Sequence, residues 1–208
     1  MSLELFWVLL RWVGGILALL ALLLMYAGIW RGTQQSAGAK TGSIPGLLHS
    51  RLFYVAASIV YFGVCYLLWR PIPITLPGAL QTVVLASGAV VYFSGMAFLL
   101  WARLALGRMY FVSTGFGAQL FADHKLITYG PFAIVRHPMY LGISIAALGG
   151  LLLYQTWTLF VFLLLPLGLI RRAKVEERVL AGEFGDQWRD YCRRVPAFLP
   201  KLSRGGPV

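Results

Sequence analysis

The chain has 208 residues, of which 59% are hydrophobic and only 12% charged, with a net charge of +11. Soluble domains carry about a quarter of their residues as charges, so this composition excludes an ordinary soluble domain and predicts a polytopic membrane protein of one domain. The excess of Lys and Arg is what cytoplasmic loops of such a protein collect, and it predicts no nucleic-acid partner.

Five apolar segments follow in chain order, at about residues 5–30, 52–69, 79–106, 138–153 and 157–170. Each is expected to be a helix, because only helices or closed barrels satisfy backbone groups in lipid, and the alternation that a barrel needs is absent. The first segment contains Glu4 and Arg11 and has no basic leader before it. It therefore reads as a spanning helix and not as a signal peptide, with Arg11 snorkelling to the near interface. Residues 31–51 are expected to form a polar loop, 70–77 ("RPIPITLP") a Pro-rich turn, and 103–137 the longest connection. Tyr154–Thr156 form a tight hairpin turn, and 171–208 a charged tail. Cys65 and Cys192 belong to no CxxC pair, so neither a disulfide framework nor a metal site is readable.

Loops 31–51 and 103–137 together with the tail hold 16 of the 18 Lys and Arg residues. That asymmetry predicts an outside N-terminus and a cytoplasmic C-terminus. The fourth and fifth segments are short, about 24 Å and 21 Å at 1.5 Å per residue, against a hydrocarbon core of about 30 Å. Their cytoplasmic ends are expected to lie below the membrane surface and to line a wet cavity.

Two stretches meet at those ends. In "GPFAIVRHPMYLG" (130–142), Pro138 opens the fourth helix directly after Arg136 and His137. Proline suits the first helical position, and the unpaired amides of that turn attract the polar edge of a ligand. In "RRAKVEERVL" (171–180), which continues the fifth helix, Arg172 and Glu176 are four apart and share a face, with Glu177 turned off it. Taken singly, each stretch also fits an interfacial anchor or a solvated helix face. The "GFG" at 115–117 follows no strand and is assigned to loop flexibility.

"HKLITYGPFAIVRHPMYLG" and "EERVLAGEFGDQWRDYCRRVPAFLP" resemble the two motifs of the isoprenylcysteine carboxyl methyltransferase family, over about residues 95–200. The resemblance implies an integral-membrane enzyme that uses S-adenosyl-L-methionine. It implies five transmembrane helices, all-α, with a cytoplasmic cofactor site made by the 103–137 loop, the last helical hairpin and the tail. Residues 1–77 would supply N-terminal helices and 78–208 the catalytic core. Carried over, the cofactor residues are His124, Lys125, Leu126, Ile127, Phe132, His137, Pro138, Met139, Tyr140 and Glu176, and the substrate arginine is Arg172. Phe132 and Trp188 stand where the family has tyrosines.

The implied reaction is methyl transfer to a lipophilic acceptor at the membrane, foremost the carboxylate of an isoprenylcysteine-like substrate, with no metal. Phospholipid N-methylation and small-thiol S-methylation are the alternatives within the family. A membrane ene or sterol reductase using a reduced nicotinamide shares the general fold by resemblance, but its motif has Asn where Met139 stands. A haem protein or scaffold is disfavoured, since His49, His124 and His137 all fall in loops or at helix ends.

Overall fold

The structure is a computed structural model that describes residues 2–32, 37–42, 51–110 and 117–200. Five helices form in the order expected: α1 Leu3–Gly32, α2 Arg51–Leu68, α3 Gly78–Leu106, α4 Pro138–Tyr154 and α5 Trp157–Arg194. Two spans, Leu3–Gly32 and Gly78–Met109, are long and apolar enough to cross a membrane, and Leu52–Leu68 and Pro138–Tyr154 are apolar but shorter. Large apolar side chains remain exposed along α1 and α2, among them Trp12 at 69%, Leu52 at 76% and Ile59 at 69%. A water-soluble protein does not leave a continuous face of this kind uncovered.

The centre of the bundle is the antiparallel pair α3 and α4. A methyl group added at Gly149 would lie 2.1 Å from the Tyr92 amide nitrogen, and one at Gly95 2.4 Å from that of Ala146. Gly88 and Gly142 make the same backbone approach to Leu153 and Leu99. On each helix the two glycines are seven apart, so both stay on one face and the helices interlock without side chains between them. Tyr92, Met96, Leu99, Ala146 and Leu153 fill the remaining space, and Ala21 of α1 closes the cluster. The Tyr92 hydroxyl donates to the Gly14 carbonyl at 2.8 Å, which fixes α1 against α3. Arg11 does not snorkel outward: its Nε–H is given to the Leu153 carbonyl at 2.9 Å, at the end of α4.

The end of the bundle that carries the α4–α5 turn is sealed by the "RPIPITLP" segment. The Ile72 amide donates to the Gln155 carbonyl and the Trp157 amide to that of Arg70. Gln155 takes the left-handed conformation (φ 53°) that ends α4 and lets the chain reverse.

The expectation of an all-α chain needs correction. Residues Ala37–Gly42 (β1) and Gly117–Phe121 (β2) pair as a two-stranded antiparallel ribbon, with a register shift between Ala37 and Lys40. Each is short and neither alternates clearly in hydrophobicity, so the sequence alone predicts loop at both. Leu120 of this ribbon packs on Val175 and Val179, where α5 has left the apolar bundle. Of the "GFG" triplet, Gly117 opens β2, while residues 115 and 116 lie outside the described residues, as does His49.

The α3–α4 seam yields a stability prediction. Gly149→Ala must push backbone from backbone, and overpacking of this kind costs about 1–3 kcal/mol. Gly63→Ala, on a face of α2 with nothing within 4 Å, should be neutral or mildly stabilising. Thermal unfolding of both variants in detergent, read by size-exclusion chromatography after heating, checks the difference.

Candidate active site

The start of α4 is held by the end of the chain. After α5 stops at Arg194, residues 195–198 run back across the Arg136-His137 step. The Arg136 amide donates to the Pro196 carbonyl at 2.8 Å and the His137 amide to that of Ala197 at 3.0 Å. The Arg136 guanidinium donates to the carbonyls of Val195 (2.9 Å) and Cys192 (3.3 Å), and faces the Trp188 ring at 5.8 Å. A left-handed Gly185 (φ 48°) kinks α5 shortly before this stretch. No other residue type adopts that conformation as readily.

Arg136 also meets Glu177. Its Nε–H donates to Glu177 Oε1 at 3.0 Å and a terminal nitrogen lies 2.9 Å from the same oxygen. The His137 Nε2–H donates to that oxygen at 2.9 Å. The imidazole is 6% exposed and stacked between Tyr140 (5.5 Å, 5° between planes) and Phe198 (5.1 Å, 25°). Burial works to raise the Glu177 carboxyl. The hydrogen bonds from His137 and Arg136, with their charge, outweigh it and hold the group below its ordinary value. Glu177, which sequence reasoning set aside as turned off the Arg172 face, is thus the carboxylate that ties α5 to α4.

Glu176 points along the neighbouring face. The Tyr140 hydroxyl donates to its Oε1, and the Arg172 Nε lies 3.6 Å from the same oxygen. His137 Nδ1 is 3.7 Å from Oε2. Arg172 also sits over the Tyr140 ring at 5.5 Å and is a little over a quarter exposed. The structure therefore brings His137, Tyr140, Arg172 and Glu176 into one group, although Tyr140 and Glu176 are 36 residues apart in the chain.

The other carried-over residues form its surroundings. Phe132 is buried and its carbonyl accepts the Tyr191 hydroxyl at 2.6 Å. Leu126 packs on the Trp188, Tyr191 and Val195 cluster. His124 lies between Phe121 and Phe184, with a buried Nδ1 that has no partner among the described residues. Burial lowers its pKa more than Asp123 raises it, so the imidazole is neutral at physiological pH. The Lys125 amide donates to the Met109 sulfur at 3.4 Å, and Ile127 is half-buried. Pro138 is fully buried, and the Met139 side chain packs into the α1–α3–α4 core, away from the polar group.

Three residues near Arg172 gave no signal in the sequence. Tyr54 of α2 has a buried hydroxyl without a partner among the described residues, and it interacts electrostatically with Arg172 and Tyr110. Tyr110 interacts with Arg172, Arg103 and Glu176, and burial raises its phenol, so it stays protonated at neutral pH. Arg103 is 2% exposed, stacks on Tyr110 at 4.2 Å and donates to Leu24 and Gly107 carbonyls.

Residues 83–187, just over half of the chain and most of this site, match the model of the phospholipid methyltransferase family. The chain belongs to that family. Curated relatives are similar to part of the chain. The protein-S-isoprenylcysteine O-methyltransferase of Schizosaccharomyces pombe is 40% identical over 82 residues, which is 38% of this chain and 35% of the relative. The cobalt-zinc-cadmium resistance protein CzcN of Cupriavidus metallidurans is 34% identical over 83 residues, 39% of this chain and 38% of the relative. A probable protein-S-isoprenylcysteine O-methyltransferase of Oryza sativa is 35% identical over 83 residues, 39% of this chain and 44% of the relative. The chain matches well under half the length of each of these relatives. Among solved structures, a eukaryotic intramembrane Ras methyltransferase, isoprenylcysteine carboxyl methyltransferase, aligns with a TM-score of 0.48 at 22% identity, over 74% of this chain and 54% of the other. The isoprenylcysteine-methyltransferase-like character read from the two motifs of this family member stands.

The Glu177 network carries a pH prediction. Its folded pKa lies below the ordinary glutamate value, so its contribution is present above that ordinary value and is lost as pH falls through the lower folded one. Glu177→Gln should cost about 1.5–3 kcal/mol at neutral pH, the range for hydrogen bonds to a charged group. It should also flatten the acid limb of the stability profile. Thermal unfolding in detergent between pH 3 and pH 7 measures both.

Proposed function

We propose that the protein is an integral-membrane methyltransferase that moves the methyl group of S-adenosyl-L-methionine to a lipophilic acceptor, foremost a carboxylate of the isoprenylcysteine type. The observation that carries this reading is the Tyr140–Glu176–Arg172 group, a carboxylate and a guanidinium side by side at the end of an apolar bundle. Family membership and the isoprenylcysteine methyltransferase relatives support it.

The residues present suit the cofactor. It brings an ammonium, a carboxylate, an adenine and a sulfonium, and Glu176, the α4 start at His137–Tyr140, and the stretch His124–Ile127 with Phe132 would hold them. His124 Nδ1, buried and without a partner among the described residues, leaves one hydrogen-bonding position for a ligand to fill. When bound, the cofactor supplies an electrophilic methyl group for in-line displacement. The chain's part is to position and to exclude water. Glu177, held by Arg136, clamps the His137 ring and so orients Tyr140 stacked on it. Tyr140 in turn holds the Glu176 carboxylate. Arg172, beside Glu176 and over the Tyr140 ring, would meet an acceptor carboxylate with a planar pair of donors. A carboxylate is ionised at neutral pH, so no general base is needed. Tyr54 and Tyr110 add hydroxyls beside Arg172.

In this reading the helices span the membrane and the site faces the cytoplasm, where the cofactor is. Cysteine placed at Asp186, whose side chain is 89% exposed, should then resist labelling by an impermeant maleimide applied to intact cells. Labelling there without lysis refutes the orientation.

Two variants test the chemistry. Glu176→Gln should weaken S-adenosyl-L-methionine binding about tenfold or more by calorimetry, through loss of a charged partner. Unchanged affinity refutes the cofactor assignment. Arg172→Ala should cut kcat strongly with little change in cofactor affinity, and Arg172→Lys should restore it only in part. Membership of the phospholipid methyltransferase family makes a phospholipid amine the second reading. With an amine, a neighbouring cation lowers the acceptor pKa, so Arg172→Ala would shift the pH–rate profile to higher pH. A carboxylate acceptor shows no such shift near neutrality.

A further inference from the structure

A cavity of about 710 Å³ lies inside the bundle, between α1, α2, α3, α4 and α5. Its volume is that of a site for a sizeable organic ligand. Along α1 it runs from Val8 to Met25, a rise of about 26 Å at 1.5 Å per residue. Most of its wall is apolar, with Trp12, Leu22, Met96, Leu99, Ile143 and Ala146 in the lining. Tyr140 lies about one helical turn beyond Ile143, so one end approaches the Glu176 group. Polar lining collects at the opposite end, beside the α4–α5 turn.

That polar end is built from Arg11, Thr156 and the first turn of α5. Thr156 is the residue before α5, where a threonine ordinarily accepts an amide of its own helix. Here it makes no such bond. It is 6% exposed, and its Oγ1 is buried without a partner among the described residues. Arg11 is pinned through Nε to Leu153, and none of the ion pairs of the described residues includes it. A guanidinium has five N–H donors, and an uncompensated charge in an apolar wall is costly. Thr158, the next polar side chain, is already used, since its hydroxyl donates to the Cys65 carbonyl at 2.9 Å. The site thus offers a cation, a hydroxyl and the positive end of a long helix, and among the described residues only the neutral Leu153 carbonyl answers the cation, with no anion.

We propose that this cavity binds an anionic phospholipid, with its phosphate at Arg11 and Thr156 and one acyl chain along α1, α3 and α4. The anion answers the unpaired donors, and the chain answers the apolar length of the cavity. The source is the bilayer, because Trp12 and Phe62 of the cavity wall are also exposed on the apolar outer surface of α1 and α2. The phosphate lies at the far end of the bundle from Glu176, so the site is separate from the methyl-transfer reading and does not rest on it.

The test is native mass spectrometry of the full-length protein, stripped of lipid in detergent and titrated with phosphatidylglycerol. Diacylglycerol of the same chains and inorganic phosphate are run alongside. One phosphatidylglycerol per chain should bind saturably, diacylglycerol should bind about tenfold more weakly, and inorganic phosphate should not displace the lipid. Thr156→Val, nearly isosteric and leaving both partners of the Arg11–Leu153 bond in place, should weaken phosphatidylglycerol about tenfold, as should Arg11→Gln. Gly15→Leu, which adds a side chain to the cavity where nothing lies within 4 Å, should abolish binding. Equal binding of diacylglycerol, displacement by inorganic phosphate, or indifference to Thr156→Val and Gly15→Leu overturns the proposal. If Arg11→Gln fails to fold, Thr156→Val decides.

Discussion

The contact between the backbones of α3 and α4 is what the rest of the molecule depends on. Glycines seven residues apart on each helix remove the side chains that would hold the axes apart. In an apolar surrounding there is little hydrophobic gain from bringing helices together, so packing must come from close van der Waals approach. The seam orients α4 and therefore the position of Pro138, His137 and Tyr140 at its start. It also places Tyr92 where its hydroxyl can reach Gly14 and dock α1.

A second constraint acts outside the apolar bundle. Arg136 and His137 share one oxygen of Glu177, and the 195–198 segment supplies the carbonyls and amide acceptors that complete the coordination of Arg136. A pair of charges removed from water is stable only when its remaining hydrogen-bonding capacity is met. The return of the chain end meets it, and in doing so stacks Phe198 on His137. The imidazole is consequently held by Glu177 on one side and stacked against Tyr140 on the other.

The two adjacent glutamates divide the work. A helix turns 100° per residue, so Glu176 and Glu177 cannot face the same partner. Glu177 binds α4 and the tail, and Glu176 faces Tyr140 and Arg172. One residue keeps the architecture, and the proposed function assigns its neighbour to the cofactor.

By itself the sequence determined the five helices, the turn at Tyr154–Thr156, the continuation of α5 past Arg171, and the association of Arg172 with Glu176. These follow from local properties: apolar run length, a proline at a helix start, and spacing of four on a helix. It also contained the two motifs that point to the family. What only the tertiary structure decided were pairings between distant segments. The β1–β2 ribbon joins residues some 80 apart, and short Gly-rich strands announce nothing until they meet. Tyr54, Arg103 and Tyr110 acquire meaning only because α1, α2 and α3 converge beside Arg172. The direction in which Glu177 points depends on where α4 begins relative to α5. Arg11 turns inward because α4 ends beside it with a carbonyl to offer. Local spacing can say which residues share a face; what that face meets is set by packing between segments that no local pattern encodes.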